Sequence, residues 1–429
     1  KAAEKGELWK AKILTAFGAD FNAKDNEGNT PLHIAISSNQ QAMAELFIMN
    51  PKTNINAKNK EGKTPLDYAK TVEDQETIAL LNARIEINEA IARRHGDVNA
   101  QYMMNHPITL LGKYSIMGNS KKIKLLINCF EADVNAKDNS GVTALHSAAE
   151  GGHVEAINAL IKHRADVHAK DNNGATALHY AAAGGHVEAI NTLVKHGAKI
   201  DAINNIGFTA LQAAAAFGHV EAINALVKHE AKIDAIDNEC HTALHIAAGL
   251  GHVEAIKTLV KHRAKIYAID NRGSTALHHA AANGHVEAIN TLVKHGAHVW
   301  AGNKSNFTAL HIAAELGHVE VIEALVKCEA RVYDKNHSGD IPLHKAALHG
   351  HLDAIQVLIK HRSDICAQNK DGQTPLHLAV VNGKIGVIKS LIHKDNINAI
   401  DKKGATALHY AAANGHVEAI KELTAQDAD

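Results

Sequence analysis

The tetrad Thr-Ala-Leu-His returns with a period of 33 residues along most of this 429-residue chain, and no other feature constrains its fold as strongly. It begins at Thr143, Thr176, Thr242, Thr275, Thr308 and Thr406. Variants begin at Thr209 (Thr-Ala-Leu-Gln), Ile341 (Ile-Pro-Leu-His), Thr30 and Thr374 (both Thr-Pro-Leu-His). A fixed period of this length describes one small unit, copied and stacked, with no single globular core. The question of function therefore shifts from a catalytic cleft to a long surface.

The unit from Thr143 to Ala175 shows why it folds. Thr143 suits a helix N-cap, because its hydroxyl can accept from free amides of the first turn. Ala144 to Glu150 predicts a short Ala-rich helix, stopped at Gly151-Gly152, where glycine accepts the left-handed conformation. His153 opens a second helix whose Val154, Ile157, Leu160 and Ile161 recur at helical spacing as a buried stripe. Residues 165–169 are extended, and Asp171-Asn172-Asn173-Gly174 is turn chemistry. The prediction is helix, turn, helix, then a projecting β-turn finger.

This unit resembles the ankyrin repeat. The segment from Asp133 to Gly141, together with the tetrad and the Gly-His turn, follows the family pattern closely. The resemblance implies an all-α repeat solenoid of about twelve ankyrin repeats, preceded by an N-terminal half-repeat from Leu8 to Asn29. It implies protein recognition without naming a partner.

Composition narrows the classes further. Lys plus Arg is 45 and Asp plus Glu is 46, a balance that argues against binding nucleic acid through phosphate contacts. No apolar run reaches the ~18 residues of a membrane helix, so no membrane insertion of this segment is expected. No signal peptide is legible from Lys1 onward. Cys129, Cys240, Cys328 and Cys366 fall in separate repeats without paired spacing, which points to a reducing, intracellular setting. No Gly-rich phosphate loop, nucleophile elbow or carboxylate pair stands outside the repeat, so no enzyme and no cofactor are expected.

The period breaks once. Thr64 and Thr109 are 45 residues apart. The extra residues predict a lengthened second helix from Glu73 to Gly96 and a longer finger carrying Tyr102, Met103 and Met104, a secondary contact site. Ile78, Leu81 and Ile85 form one apolar stripe of that helix, with Ile87 and Ile91 on a neighbouring face. The domain reading is 1–63 for the half-repeat and first repeats, 64–108 for the irregular repeat and 109–429 for the regular array.

Of the 32 histidines, most follow the period. One class ends the tetrad, another follows Gly between helices, a third follows Lys late in the second helix. By resemblance, the tetrad histidines hydrogen-bond backbone between repeats. Histidines of one class should lie ~10 Å apart, the helix spacing, too far to share an ion, so no metal site is expected. Histidines buried in neutral form must charge on acidification, so the array should lose stability below about pH 6.

Residues that vary on this framework mark the candidate binding surface. Finger positions usually hold Lys, such as Lys137 and Lys170, but Ile203, Ile236 and Ile269 replace it in three successive repeats. Phe208, His241 and Phe307 precede the tetrad. Phe217, Leu250, Leu316 and Leu348 end first helices. Tyr267, Trp300 and Tyr333 form a further ladder, and such aromatic residues are enriched at interfaces. By resemblance these side chains line the concave finger and first-helix surface. The expected function is a non-catalytic scaffold for a partner protein. Near-identical copies of Gly-His-Val-Glu-Ala-Ile-Asn at 152, 185, 218 and 284 resemble, in style, ankyrin arrays that intracellular bacteria and symbionts direct at host proteins. The alternative is the ankyrin targeting region of a larger protein whose enzymatic, toxin or membrane domain lies outside this segment.

Overall fold

The computed structural model describes residues 19–93, 101–102 and 108–426, together with residues 3 and 8. The chain divides into two compact units, residues 1–199 and 200–429. Among the described residues there are 24 helices, arranged in sequential pairs. Regular strand is confined to Gln101–Tyr102 and Ile108–Thr109, which pair antiparallel with Gln101 opposite Thr109. Within each unit, first helices pack on first helices of the next repeat and second on second. The all-α repeat architecture expected from the period is therefore the observed one, and no described helix is long and apolar enough to cross a membrane.

In the 143–175 unit the first helix is Ala144–Glu150 and the second Val154–Lys162. The buried stripe of the second helix is Ala156, Ile157, Ala159 and Leu160. Val154 and Ile161 are only half-buried, so the stripe is narrower and richer in alanine than helical spacing alone suggests. The glycine in the left-handed region is Gly152 (φ +70°), not Gly151. A Cβ on Gly152 would also come 2.6 Å from the His186 ring of the next repeat, so the position is closed to side chains twice over.

The cap works differently from a simple threonine cap. The backbone N–H of Thr143 donates to Nδ1 of His146 (3.1 Å), and the Thr143 hydroxyl lies 2.9 Å from the same nitrogen. Ile341 has no hydroxyl, yet its N–H still donates to His344 Nδ1 (3.2 Å). The bond from the backbone N–H to the imidazole is thus the half of this capping box that persists without a hydroxyl. An N–H can only donate, so Nδ1 carries no proton and the neutral ring holds its proton on Nε2. That Nε2–H donates forward to the carbonyl before the next tetrad: His146 to Ala175 (3.1 Å), His311 to Asp340 (3.0 Å) and His344 to Gln373 (3.1 Å). Gln212 reproduces both bonds without a titratable group. Its Oε1 accepts from Thr209 N–H (2.8 Å), and its Nε2 donates to the His241 carbonyl (2.7 Å).

The histidines between helices bond in the opposite direction. Nε2 of His186 meets the Glu150 carbonyl at 2.8 Å, and that of His252 meets Ala216 at 2.9 Å. A repeat that carries both histidines is therefore tied forward by one imidazole and backward by another, as by His146 and His153 in the 143–175 unit.

The irregular repeat contains a helix over Gln75–Ala92 (18 residues), shorter than the predicted span to Gly96, whose last residues lie outside the described ones. Its buried face includes Leu81, Arg84 and Ile87, whereas Ile78, Ile85 and Ile91 are half-buried. A buried arginine at the centre of the stripe was not expected. Arg84 reaches the end of helix Gln41–Ile48 and donates to the carbonyls of Ile48, Asn50 (2.8 Å), Pro51 (3.3 Å) and Thr53 (3.3 Å). A cation there satisfies carbonyls that a helix end leaves free and complements its dipole.

Two predictions follow from these bonds. Burial holds the His311 imidazole down at about 4, below its ordinary 6.5. The unfolded chain thus takes up the proton first. Stability contributed by the neutral ring is intact above about pH 6.5 and is lost as pH falls through about 4, on the order of 3 kcal/mol across that window, about 2 kcal/mol of it by pH 5. H311Q should match the parent in thermal midpoint at pH 7.5 and lose less of it by pH 5, whereas H311A should cost about 2–4 kcal/mol at pH 7.5 and about 2 kcal/mol less than that at pH 5, where the parent's own imidazole contribution is largely gone. An H311Q midpoint that drops with acid as steeply as the parent's would refute this account. R84M should destabilise the first unit by about 2–4 kcal/mol in urea unfolding, because it strands buried carbonyls; a midpoint equal to the parent's would show that those carbonyls find other donors.

Candidate recognition surface

The fingers begin with a carboxylate or amide that folds the turn onto itself. Asp237 Oδ1 accepts from the N–H groups of Glu239 (2.9 Å) and His241 (2.8 Å). Neighbouring tips are then linked by backbone alone, as Asn238 N–H donates to Ile206 O (3.0 Å), Asn271 to Glu239 (3.0 Å) and Lys304 to Arg272 (2.9 Å). This ladder fixes each finger beside the next.

Six residues before the tetrad, Lys makes a second link. Lys137 Nζ donates to the Lys170 carbonyl (2.8 Å), and Lys335 Nζ to that of Gln368 (3.0 Å). Ile203, Ile236 and Ile269 hold this register position with no such donor, and they are 50, 55 and 56% exposed. A methylated side chain has replaced an inter-finger hydrogen bond with apolar surface facing water. Phe217 and Leu250, at the ends of helices Ala210–Ala216 and Ala243–Gly249, are also exposed, as is Leu316 of helix Ala309–Leu316.

The residues before the tetrad behave otherwise. Phe208 and Phe307 are half-buried. Lys345 Nζ sits 4.8 Å above the Phe307 ring, and the His311 ring is 5.6 Å away, so this phenylalanine is part of the repeat junction. His241 is half-buried and holds Asp237 Oδ2 at 3.1 Å through Nδ1.

Tyr267, Trp300 and Tyr333 are exposed, but they do not join the cleft that contains His241. Trp300 packs edge-on against His298 (4.5 Å) in a cleft of about 470 Å³ with Cys328, Glu329 and Arg331. The His241 cleft, about 480 Å³, is lined by Asp270, His279, Arg272, Asn303 and Ile312 among others, and the two have no lining residue in common. The cleft of Trp300 is thus separate from that of His241, and the finger isoleucines line neither.

Two exposed finger isoleucines escaped the sequence reading. Ile400 stands six residues before Thr406, in register with Ile203, and Ile206 occupies a finger tip that is polar in most repeats. Alignment on the tetrad alone would have found both. Tyr102 lies in the short strand pair, while Met103 and Met104 lie outside the described residues.

The family model for ankyrin repeats (3 copies) matches in overlapping stretches that run from residue 1 to 91 and from 94 to 429. The chain belongs to the ankyrin repeat family. It is 32% identical over 153 residues to human neurogenic locus notch homolog protein 2, a match covering 36% of this chain and 4% of that protein. To human Rabankyrin-5 it is 26% identical over 165 residues, covering 36% and 13%. The chain therefore spans a small part of the length of these relatives. The solved human ASB11 ankyrin repeat domain is 29% identical and covers 51% of this chain and 97% of its own, with a TM-score of 0.47. Ankyrin repeats are in general protein–protein interaction modules and a non-catalytic fold.

Because Lys occupies the finger position in other repeats, Ile203→Lys, Ile236→Lys and Ile269→Lys together should leave the fold intact, changing stability by no more than about 0.5 kcal/mol per site. Circular dichroism melting checks this. A loss above about 2 kcal/mol per site would mean that the isoleucines pack into the framework.

Proposed function

We propose that this chain is an interaction scaffold whose partner protein docks on the finger and first-helix face between about residue 200 and residue 350. The observation that carries this reading is the row Ile203, Ile236 and Ile269 on adjacent fingers, exposed where other repeats place a bonding lysine. Contiguous apolar surface of this kind on a folded protein usually marks an interface. Exposed Phe217, Leu250 and Leu316 extend it. The separate aromatic set of Tyr267, Trp300 and Tyr333 supplies a second contact region. The repeated Gly-His-Val-Glu-Ala-Ile-Asn segments support a recently duplicated array. On that ground we assign the partner to a host cell of an intracellular bacterium. The four free cysteines fit a reducing compartment there.

A second reading makes this chain the targeting region of a larger protein. It is favoured by the relatives, of which the matched stretch is 4% and 13%.

The test compares the parent with the Ile203, Ile236 and Ile269 to Lys variant, both immobilised and exposed to one host lysate. A protein retained by the parent and lost by the folded variant supports docking on this face. Equal retention by both removes the face from consideration, and a parent that retains nothing from any host lysate removes the scaffold reading.

A further inference from the structure

Most imidazoles in this array are spent on the framework. His245 has Nδ1 on Thr242 N–H (3.1 Å) and Nε2 on the Ser274 carbonyl (3.1 Å). His278 is engaged in the same way with Thr275 and Phe307. His241 and His279 are different. Both point a ring nitrogen at one carboxylate oxygen, Asp270 Oδ2. His279 Nε2 is 3.0 Å from it, and His241 Nε2 is 3.8 Å away. The other oxygen, Oδ1, is held by the N–H groups of Arg272 (2.8 Å) and Ser274 (2.7 Å). Burial pushes the Asp270 carboxyl up, but the Ser274 amide and the His279 imidazole outweigh it and leave the group below its ordinary value, ionised at neutral pH.

Comparable repeats show what this position does without histidine. Nine residues after the turn aspartate stands a tyrosine, whose hydroxyl donates to Asp171 (Tyr180, 2.9 Å) or to Asp401 (Tyr410, 2.7 Å). A phenol there completes one hydrogen bond. In the Asp270 repeat an imidazole replaces the phenol, and a second imidazole arrives from the preceding repeat. Among the described residues, no other group of three or more such side chains brings its donor atoms as close together.

We propose that His241, Asp270 and His279 form a binding site for one divalent transition-metal ion, zinc by preference, bridging two adjacent repeats. The three donor atoms lie within 4.8 Å of one another. Tetrahedral ligands at zinc bond lengths of about 2.1 Å stand about 3.4 Å apart. The observed 3.0 and 3.8 Å to Asp270 Oδ2 bracket that spacing, and the two imidazoles, whose donor atoms lie within 4.8 Å of each other, need to close by no more than about 1.4 Å to reach it. Two imidazoles and a carboxylate are a donor set suited to such ions. The outer shell is present too. Asp237 Oδ2 accepts from His241 Nδ1 (3.1 Å), which turns the Nε2 lone pair toward the site, the carboxylate–histidine relation common at zinc centres. Binding needs His279 to move its proton from Nε2 to Nδ1, with no net proton lost. The remaining coordination position opens on the cleft of about 480 Å³ and takes water. The inference is independent of what docks on the isoleucine row.

The experiment is calorimetric titration of the chelator-treated full chain with zinc chloride at pH 7.5. Histidines elsewhere bind zinc weakly, so variants identify the site. H279Y and H241F install residues that the same positions hold at Tyr180 and Tyr410, and at Phe208 and Phe307. D237N follows Asn204 and Asn303 in the same way. The parent should show one tight equivalent, absent in H279Y and in H241F, weakened about 10-fold or more in D237N, and unchanged in H337Q, an exposed histidine outside the cluster. Melting curves confirm folding, and the two ligand variants serve as independent tests should one misfold. A parent without a distinct tight equivalent, or one that survives both H279Y and H241F, overturns the proposal.

Discussion

The neutral imidazole of the tetrad carries this architecture. One ring nitrogen accepts from the first amide of its own helix, and the other donates to the carbonyl that begins the next. That one side chain caps, spaces and joins. A carboxylate cannot do it, because it has no donor for the second bond, and a lysine has no acceptor for the first. Glutamine can, and at Gln212 it does. The rest depends on this bond pair. The short helices, of seven or eight residues, are below the length at which isolated helices persist, and they are stable only as members of a stack.

Function enters where the framework leaves side chains unassigned. Fingers are held by their own turn carboxylates and by backbone rungs, so the residue six before the tetrad is free to change. Lysine there adds a link between fingers. Isoleucine gives that link up and offers surface instead. The same logic applies at the position of Tyr180, where a hydroxyl satisfies the aspartate and an imidazole does so with a lone pair to spare. The exposed isoleucine row and the His241–Asp270–His279 cluster both arise from exchanges at positions where other repeats hold a different side chain.

Much of this was legible in the residues. The helices at 144–150 and 154–162 follow from the tetrad, the Gly-His turn and the apolar spacing, and the structure places them as read. The finger isoleucines were legible for the same reason, since a strict period makes any departure visible. Contacts between residues of different register were not. Phe307 looked like an exposed anchor, but Lys345, 38 positions on in sequence, covers its ring. His241 was read only as a residue before the tetrad and His279 was not singled out, and only stacking reveals that both approach Asp270. Arg84 gave no signal at all. Its partners are main-chain carbonyls of another helix, and carbonyls are the same in every sequence.

The backbone rungs and paired imidazoles have a further consequence for how such a chain can grow. The imidazole bonds and backbone rungs described above use atoms inside the repeated segment, one set facing forward and one backward. A tandem copy inserted anywhere in the regular array therefore arrives with both halves of its two new junctions already encoded. The gene can lengthen by unequal exchange without inventing an interface. What the copy also carries is its finger residue, so an isoleucine once acquired is propagated as a row, and surface is enlarged in steps of one repeat by the same event that lengthens the protein.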